Sequence, residues 1–178
     1  MPEFLLPPIQ IDAFRAKAAA IAHPHELIVD ALRAVQAHQG WVPDEGIELV
    51  AELLGVLPVE VEEIATFYDK IFRRPVGKRV IHVCDSICCW ASGGEAIASH
   101  LQKSLGIGFG ETSADGLFTL LPTCCLGACG DAPAMMVGLT TYGQLTAEKI
   151  DAILRQEREI SSEPKKLRHR DTKTPREP

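Results

Sequence analysis

Six cysteines in two short groups constrain this chain more than any other feature of its sequence. The first group is Cys84-Asp-Ser-Ile-Cys88-Cys89, and the second is Cys124-Cys125-Leu-Gly-Ala-Cys129. Each follows an apolar stretch that reads as a strand, Arg79 to Val83 and Leu117 to Leu121. The 35 residues between Cys89 and Cys125 suffice for a helix and a returning strand. Both groups are therefore expected on loops at one end of a sheet, where two pairs of thiolates can enclose one metal centre.

Spacing narrows the kind of centre. No Cys-x-x-Cys pair occurs, which argues against dithiol–disulfide exchange of the thioredoxin kind. A four-cysteine zinc site tolerates the spacings present. A 2Fe–2S rhomb suits them better, because each of its two irons needs a thiolate pair of its own. Free core cysteines are a third reading. Within the loops, Cys88 or Cys89 can pair with Cys84, and Cys124 or Cys125 with Cys129. Gly127 and Gly130 bracket Cys129 and are expected to let backbone N–H groups turn toward sulfur, which stabilises a cluster carrying a net charge of about −2.

The rest of the 178 residues says where such a centre would work. No apolar run reaches the ~18 residues a membrane helix needs. The start, MPEFLLPPIQ, carries no basic leader and does not read as a signal peptide. A cytosolic location is expected, and thiols there serve as metal or redox ligands more often than as a disulfide framework. Net charge is −6 and unevenly spread: residues 161–178 hold six Lys/Arg against three Asp/Glu, leaving 12 basic and 21 acidic residues before them. An acidic body excludes nucleic acid as the main partner. The basic, proline-containing segment 161–178 is expected to be a disordered tail.

Three divisions are expected: a helical bundle over 10–73, an α/β unit over 77–160 that carries all six cysteines, and the tail 161–178. In the first, residues 25–39 place Ile28, Ala31, Leu32 and Val35 on one face before Gly40. Residues 44–54 follow with Asp44 as N-cap, and a helix opened by Pro58 runs through Val61, Ile64, Ala65, Tyr68 and Ile71. A weaker helix covers 11–22. Past Pro75 and Gly77, a helix over 94–105 and a hairpin around Gly138 are expected, with a last helix capped by Thr146.

Other chemistry is thin. Gly106, Gly108 and Gly110 follow a helix instead of opening one, so they do not make a dinucleotide loop. His23 and His25 flank Pro24 at a helix start and read as structural. Trp90, Met135 and Met136 either shield a centre from water or simply pack. Asp85 and Ser86 are expected to hydrogen-bond the cysteine loop, since no base is arranged beside them. No residue set reads as catalytic.

The motifs HVCDSICC, FTLLPTCCLGAC and APAMMV, with GWVPDEGI and EIATFYDKIFRRPVG before them, resemble the E-subunit family of bacterial NADH–quinone oxidoreductase (respiratory complex I) over roughly residues 10–157. The resemblance implies an α+β protein, an N-terminal helical bundle followed by a thioredoxin-like α/β domain with one 2Fe–2S cluster. Its C-x4-C and C-x3-C pattern implies Cys84, Cys89, Cys125 and Cys129 as ligands. Cys124 matches a second, non-ligating cysteine of some members, and Cys88 stands where an apolar residue is usual. The family further implies one-electron transfer next to the flavin of the NADH- and FMN-binding F subunit. That places the chain in the peripheral arm of complex I, on the cytoplasmic side of the inner membrane. A diaphorase subunit of an NAD-linked hydrogenase or formate dehydrogenase resembles the chain too. A zinc-stapled interaction module is the rival from another class.

Overall fold

In the computed structural model, residues 5–162 are described. The first half is four helices, α1 (Pro8–Ala20), α2 (Ile28–Gln39), α3 (Asp44–Leu54) and α4 (Pro58–Phe67). Glycine ends α2 and α3: Gly40 and Gly55 adopt the left-handed conformation, at φ 88° and 66°, and return their N–H to the preceding turn. The apolar faces meet in one cluster built from Ile28, Leu32, Val35, Val50, Leu54 and Val61, closed by Leu6 and Ile71.

Two expectations for this half need correction. Pro43, not Asp44, occupies the N-cap of α3. The Asp44 carboxylate instead accepts a bond from Arg73 at 2.7 Å, and Arg73 also holds Glu62 and the Val42 carbonyl. The fourth helix stops at Phe67, so Tyr68 and Ile71 lie beyond it. The chain is pulled out of helical geometry by fixed partners. Gln36 donates to the Lys70 carbonyl at 2.8 Å and accepts from the Phe72 N–H at 2.6 Å, while Thr123 donates to the Asp69 carboxylate at 2.7 Å.

The second half is a four-stranded sheet of order β2-β1-β3-β4, with β1 (Arg79–Cys84), β2 (Phe118–Thr123), β3 (Met135–Val137) and β4 (Thr140–Tyr142). β1 and β2 run parallel, and the chain crosses between them through the short α5 (Ile87–Ala91) and the longer α6 (Gly94–Leu105). Pro122 is tolerated because β2 is an edge strand. The expected hairpin is present, with Val137 opposite Thr140. The last helix, α7 (Ala147–Ser162), receives the Thr146 hydroxyl on the Lys149 N–H at 3.2 Å. Ile81, Val83, Phe118 and Leu120 pack with Leu101, Ile150 and Leu154 of α6 and α7 in a second apolar cluster. Arg79 reaches the buried Glu157 of α7 at 2.9 Å. Ser161 and Ser162 close α7, and the remainder of the expected tail lies outside the described residues.

Asp69 and Thr123 join the two halves. Burial would raise the Asp69 carboxyl, but the Thr123 hydroxyl and the Lys70 ammonium outweigh it and hold the group below its ordinary value. A depressed carboxyl contributes stability above its unfolded value of 3.8 and loses it as pH falls through the lower folded value. Thr123→Val should therefore cost about 0.5–1 kcal/mol at pH 6, a figure already reduced for the exposure of Asp69. The difference from the native chain should shrink in acid, as denaturant titrations at pH 6 and pH 3 would show.

Candidate metal centre

The parallel pairing of β1 and β2 fixes where the cysteines meet. Cys84 ends β1 and lies in register with Thr123, the last residue of β2, so the two cysteine groups leave the same end of the sheet side by side. Convergence is as expected, but the first group is not wholly on a loop. Cys88 and Cys89 sit in α5, opened by Ser86 in extended conformation. Cys84 and Cys89 are buried, at 5% and 2% exposure, whereas Cys88, Cys124, Cys125 and Cys129 are exposed. Ala134 is buried with the inner pair, and Leu126, Ala128 and Ala132 pack around it. These small side chains form a sheath that sequence patterning did not reveal.

The thiols interact as pairs. Burial pushes the Cys89 thiol up, helped by its contact with the Cys84 thiol. Burial also opposes ionisation of Cys84, yet the Ser86 N–H, the Cys89 thiol and the Leu126 N–H outweigh it and bring that thiol below its usual value. On the outer side, contacts with the thiols of Cys88 and Cys125 push Cys129 up to about 11. The Gly127 N–H approaches the Cys125 sulfur at 3.4 Å, and Gly127 has φ 73°, so a side chain there would strain the turn that aims it. Gly130, by contrast, has no such conformation, and a Cβ there would meet nothing. Cys124 contributes only its carbonyl, 4.0 Å from the Cys84 sulfur. Among the described residues, no three metal-ligating side chains gather tightly around a single ion position.

Soft sulfurs in two pairs, met by backbone N–H groups, fit a two-iron cluster. The remaining candidates fall outside. Met135 is fully buried in the sheet core, Met136 faces away from that core, and Trp90 is exposed on α5. Asp85 and Ser86 serve the loop through backbone N–H groups, Asp85 donating to the Thr123 carbonyl at 3.1 Å. His25 bonds Glu60 at 3.2 Å, and Gly106 caps α6. His100 meets Asp151 and Ser104 through the same Nε2 atom, so they do not form a nucleophilic triad.

One supporting residue was hidden in the sequence. A Cβ built on Gly94, the first residue of α6, would lie 2.7 Å from the Cys89 carbonyl oxygen. Backbone occupies that space, so Gly94→Ala must displace α5 and its two cysteines. The substitution should cost about 1–3 kcal/mol and speed cluster loss on incubation with a chelator, read from the visible absorbance.

A thioredoxin-like ferredoxin fold with paired thiols at the end of two parallel strands defines a protein that carries an iron–sulfur cluster. The chain belongs to the thioredoxin-like [2Fe-2S] ferredoxin family, whose family model matches residues 14–158. It is 47% identical to the E subunit of the NADH-quinone oxidoreductase of Pseudomonas aeruginosa over 131 residues, 74% of this chain and 79% of that one. Identity to the same subunit of Escherichia coli (strain K12) is 45% over 155 residues, covering 82% and 93% of the two chains. Among solved structures, an H2-reduced NAD+-reducing [NiFe]-hydrogenase matches 78% of this chain with TM-score 0.64 and 25% identity. The match spans 23% of that hydrogenase chain. One 2Fe–2S cluster is thus the centre of this chain, and the zinc and free-thiol readings are set aside.

Proposed function

We propose that this chain is the electron-transfer subunit of an NADH–quinone oxidoreductase, with its cluster held by Cys84, Cys89, Cys125 and Cys129 beside the flavin of the F subunit. The observation that carries the reading is the meeting of two thiol pairs at one end of β1 and β2, on a chain 45–47% identical to relatives bearing that subunit name. When bound, the cluster supplies one-electron storage. The chain does the rest. Cys84 and Cys89 anchor the buried side, Cys125 and Cys129 face outward, and the N–H groups of Ser86, Leu126 and Gly127 favour negative charge at sulfur.

Docking would use the apolar side chains left exposed near the centre. Ile87 and Trp90 project from the cysteine helix at 69% and 57% exposure. Phe67 and Tyr68 form an exposed edge-to-face pair at 5.4 Å, just before the Asp69 contact with β2. Exposed aromatic rings are the anchors a partner buries. Phe72 is excluded from this set, because it turns inward and stacks on His82 at 6.1 Å. The division into a helical unit over 10–73 and a cluster unit over 77–160 belongs to the same reading, since the two large apolar clusters fall on either side of it.

Among the described residues no helix is long and apolar enough to cross a membrane, which agrees with a peripheral position in the complex. The test is isolation of the tagged chain with iron, sulfide and partner analysis. One cluster and a copurifying flavoprotein are expected, and Trp90→Asp with Phe67→Asp should lose the flavoprotein while keeping the cluster absorbance. A colourless zinc protein would refute the reading. The hydrogenase likeness favours one alternative, a diaphorase of an NAD-linked hydrogenase, and copurification of a [NiFe] subunit would establish it.

A further inference from the structure

Behind the cluster strand, on the face of β1 turned away from α6 and α7, lies a cavity of about 580 Å3 between the helical half and the sheet. That volume is within the range of small-molecule sites, which favour seams of this kind. Phe72, Val80 and Met136 give it apolar walls, and His82 stands among them. His82 is 2% exposed; among the described residues its ring nitrogens make no bond of good hydrogen-bond geometry, although the Asp69 backbone approaches the ring. The charged lining has one sign: Arg33, Lys70 and Lys78, with no carboxylate. Lys70 is committed to Asp69 at 3.1 Å, whereas Arg33 and Lys78 are exposed and make no ion pair among the described residues.

We propose that this cavity binds an amphipathic organic anion, its carboxylate or phosphate head on Arg33 and Lys78 and its apolar body against Phe72, Val80 and Met136. Two features converge: apolar volume and cations of one sign at the mouth. Neither takes part in holding the cluster, so the inference stands apart from the assignment of the electron-transfer role. An occupant would touch both the seam residue Phe72 and the strand that ends in Cys84.

Calorimetric titration of the full-length, cluster-loaded chain with decanoate, decyl phosphate and decanol tests it. Decanoate or decyl phosphate should bind saturably, and the stronger of the two identifies the head group. Arg33→Glu with Lys78→Glu should weaken that binding about tenfold while leaving any decanol binding unchanged. Val76→Trp, which fills the lined space from a loop, should abolish it. Both changed cations are exposed, and an unaltered cluster spectrum will show that the charge-reversed chain is folded. Absence of saturable binding by both anions would overturn the proposal. So would equal affinity in the charge-reversed chain, or full binding by Val76→Trp.

Discussion

Serine at Cys84, Cys89, Cys125 or Cys129 should strip most of the iron from the purified chain, whereas serine at Cys88 or Cys124 should leave it in place. Serine is a harder, less easily ionised donor, and losing one ligand of a pair leaves an iron open to water. Changes merely to partners of ligands already cost about 10–100-fold in metal affinity, so a ligand change should cost at least as much. The geometry makes the loop assignments separable. Cys89 is buried against Cys84, while Cys88 is exposed and meets Cys129 instead. Cys124 touches Cys84 only through its backbone carbonyl, which serine retains. Iron and sulfide per chain, with the visible spectrum, decide the matter. Iron lost from Cys88→Ser and kept in Cys89→Ser would assign the inner pair to Cys84 and Cys88.

The centre was legible because its information is local. Cysteine identity, spacing and the apolar runs before each group are written in consecutive residues, and parallel pairing of two such strands then brings the groups together. Helix stops at Gly40 and Gly106 were legible for the same reason. What escaped depends on distant partners. The fourth helix looked longer by periodicity, yet Gln36 and Thr123 draw residues 69–72 into other bonds. Gly94 looked like an ordinary helix start, and only the approach of the Cys89 carbonyl gives it a role. The Ala-rich sheath and the burial of His82 are likewise products of packing between segments. Cys88 illustrates both limits, since its departure from the family pattern was visible and its contact with Cys129 was not.

A chain beginning at Val76 should keep its cluster spectrum and lose the flavoprotein altogether. The helices α1 to α4 make their extensive contacts with one another, and their apolar cluster shares no member with the one beneath the sheet. Removing them opens the seam cavity, whose lining on the sheet includes Val80, His82 and Met136. Exposing two apolar side chains costs about 2–4 kcal/mol, against a stability of about 5–15 kcal/mol for a domain of ordinary size. His82 loses at most the approach of the Asp69 backbone to its ring, which water replaces on exposure. Loss of the Asp69 carboxylate leaves the Thr123 hydroxyl free to bond water, a nearly neutral exchange. Every cysteine, the α5 turn and the N–H groups directed at sulfur lie beyond residue 76 and stay together. Docking fares differently, since Phe67 and Tyr68 leave with the helices and only Ile87 and Trp90 remain of the exposed apolar set. Losing two of the three aromatic anchors removes about 2 kcal/mol or more for each at a central position, enough to abolish capture at micromolar concentrations. A tagged pull-down scored by flavin fluorescence, beside the absorbance of the bound chain, reads both halves of the prediction. Undiminished capture of the flavoprotein would move the docking surface wholly onto the cluster half, and loss of the absorbance would show that the helices support the centre itself.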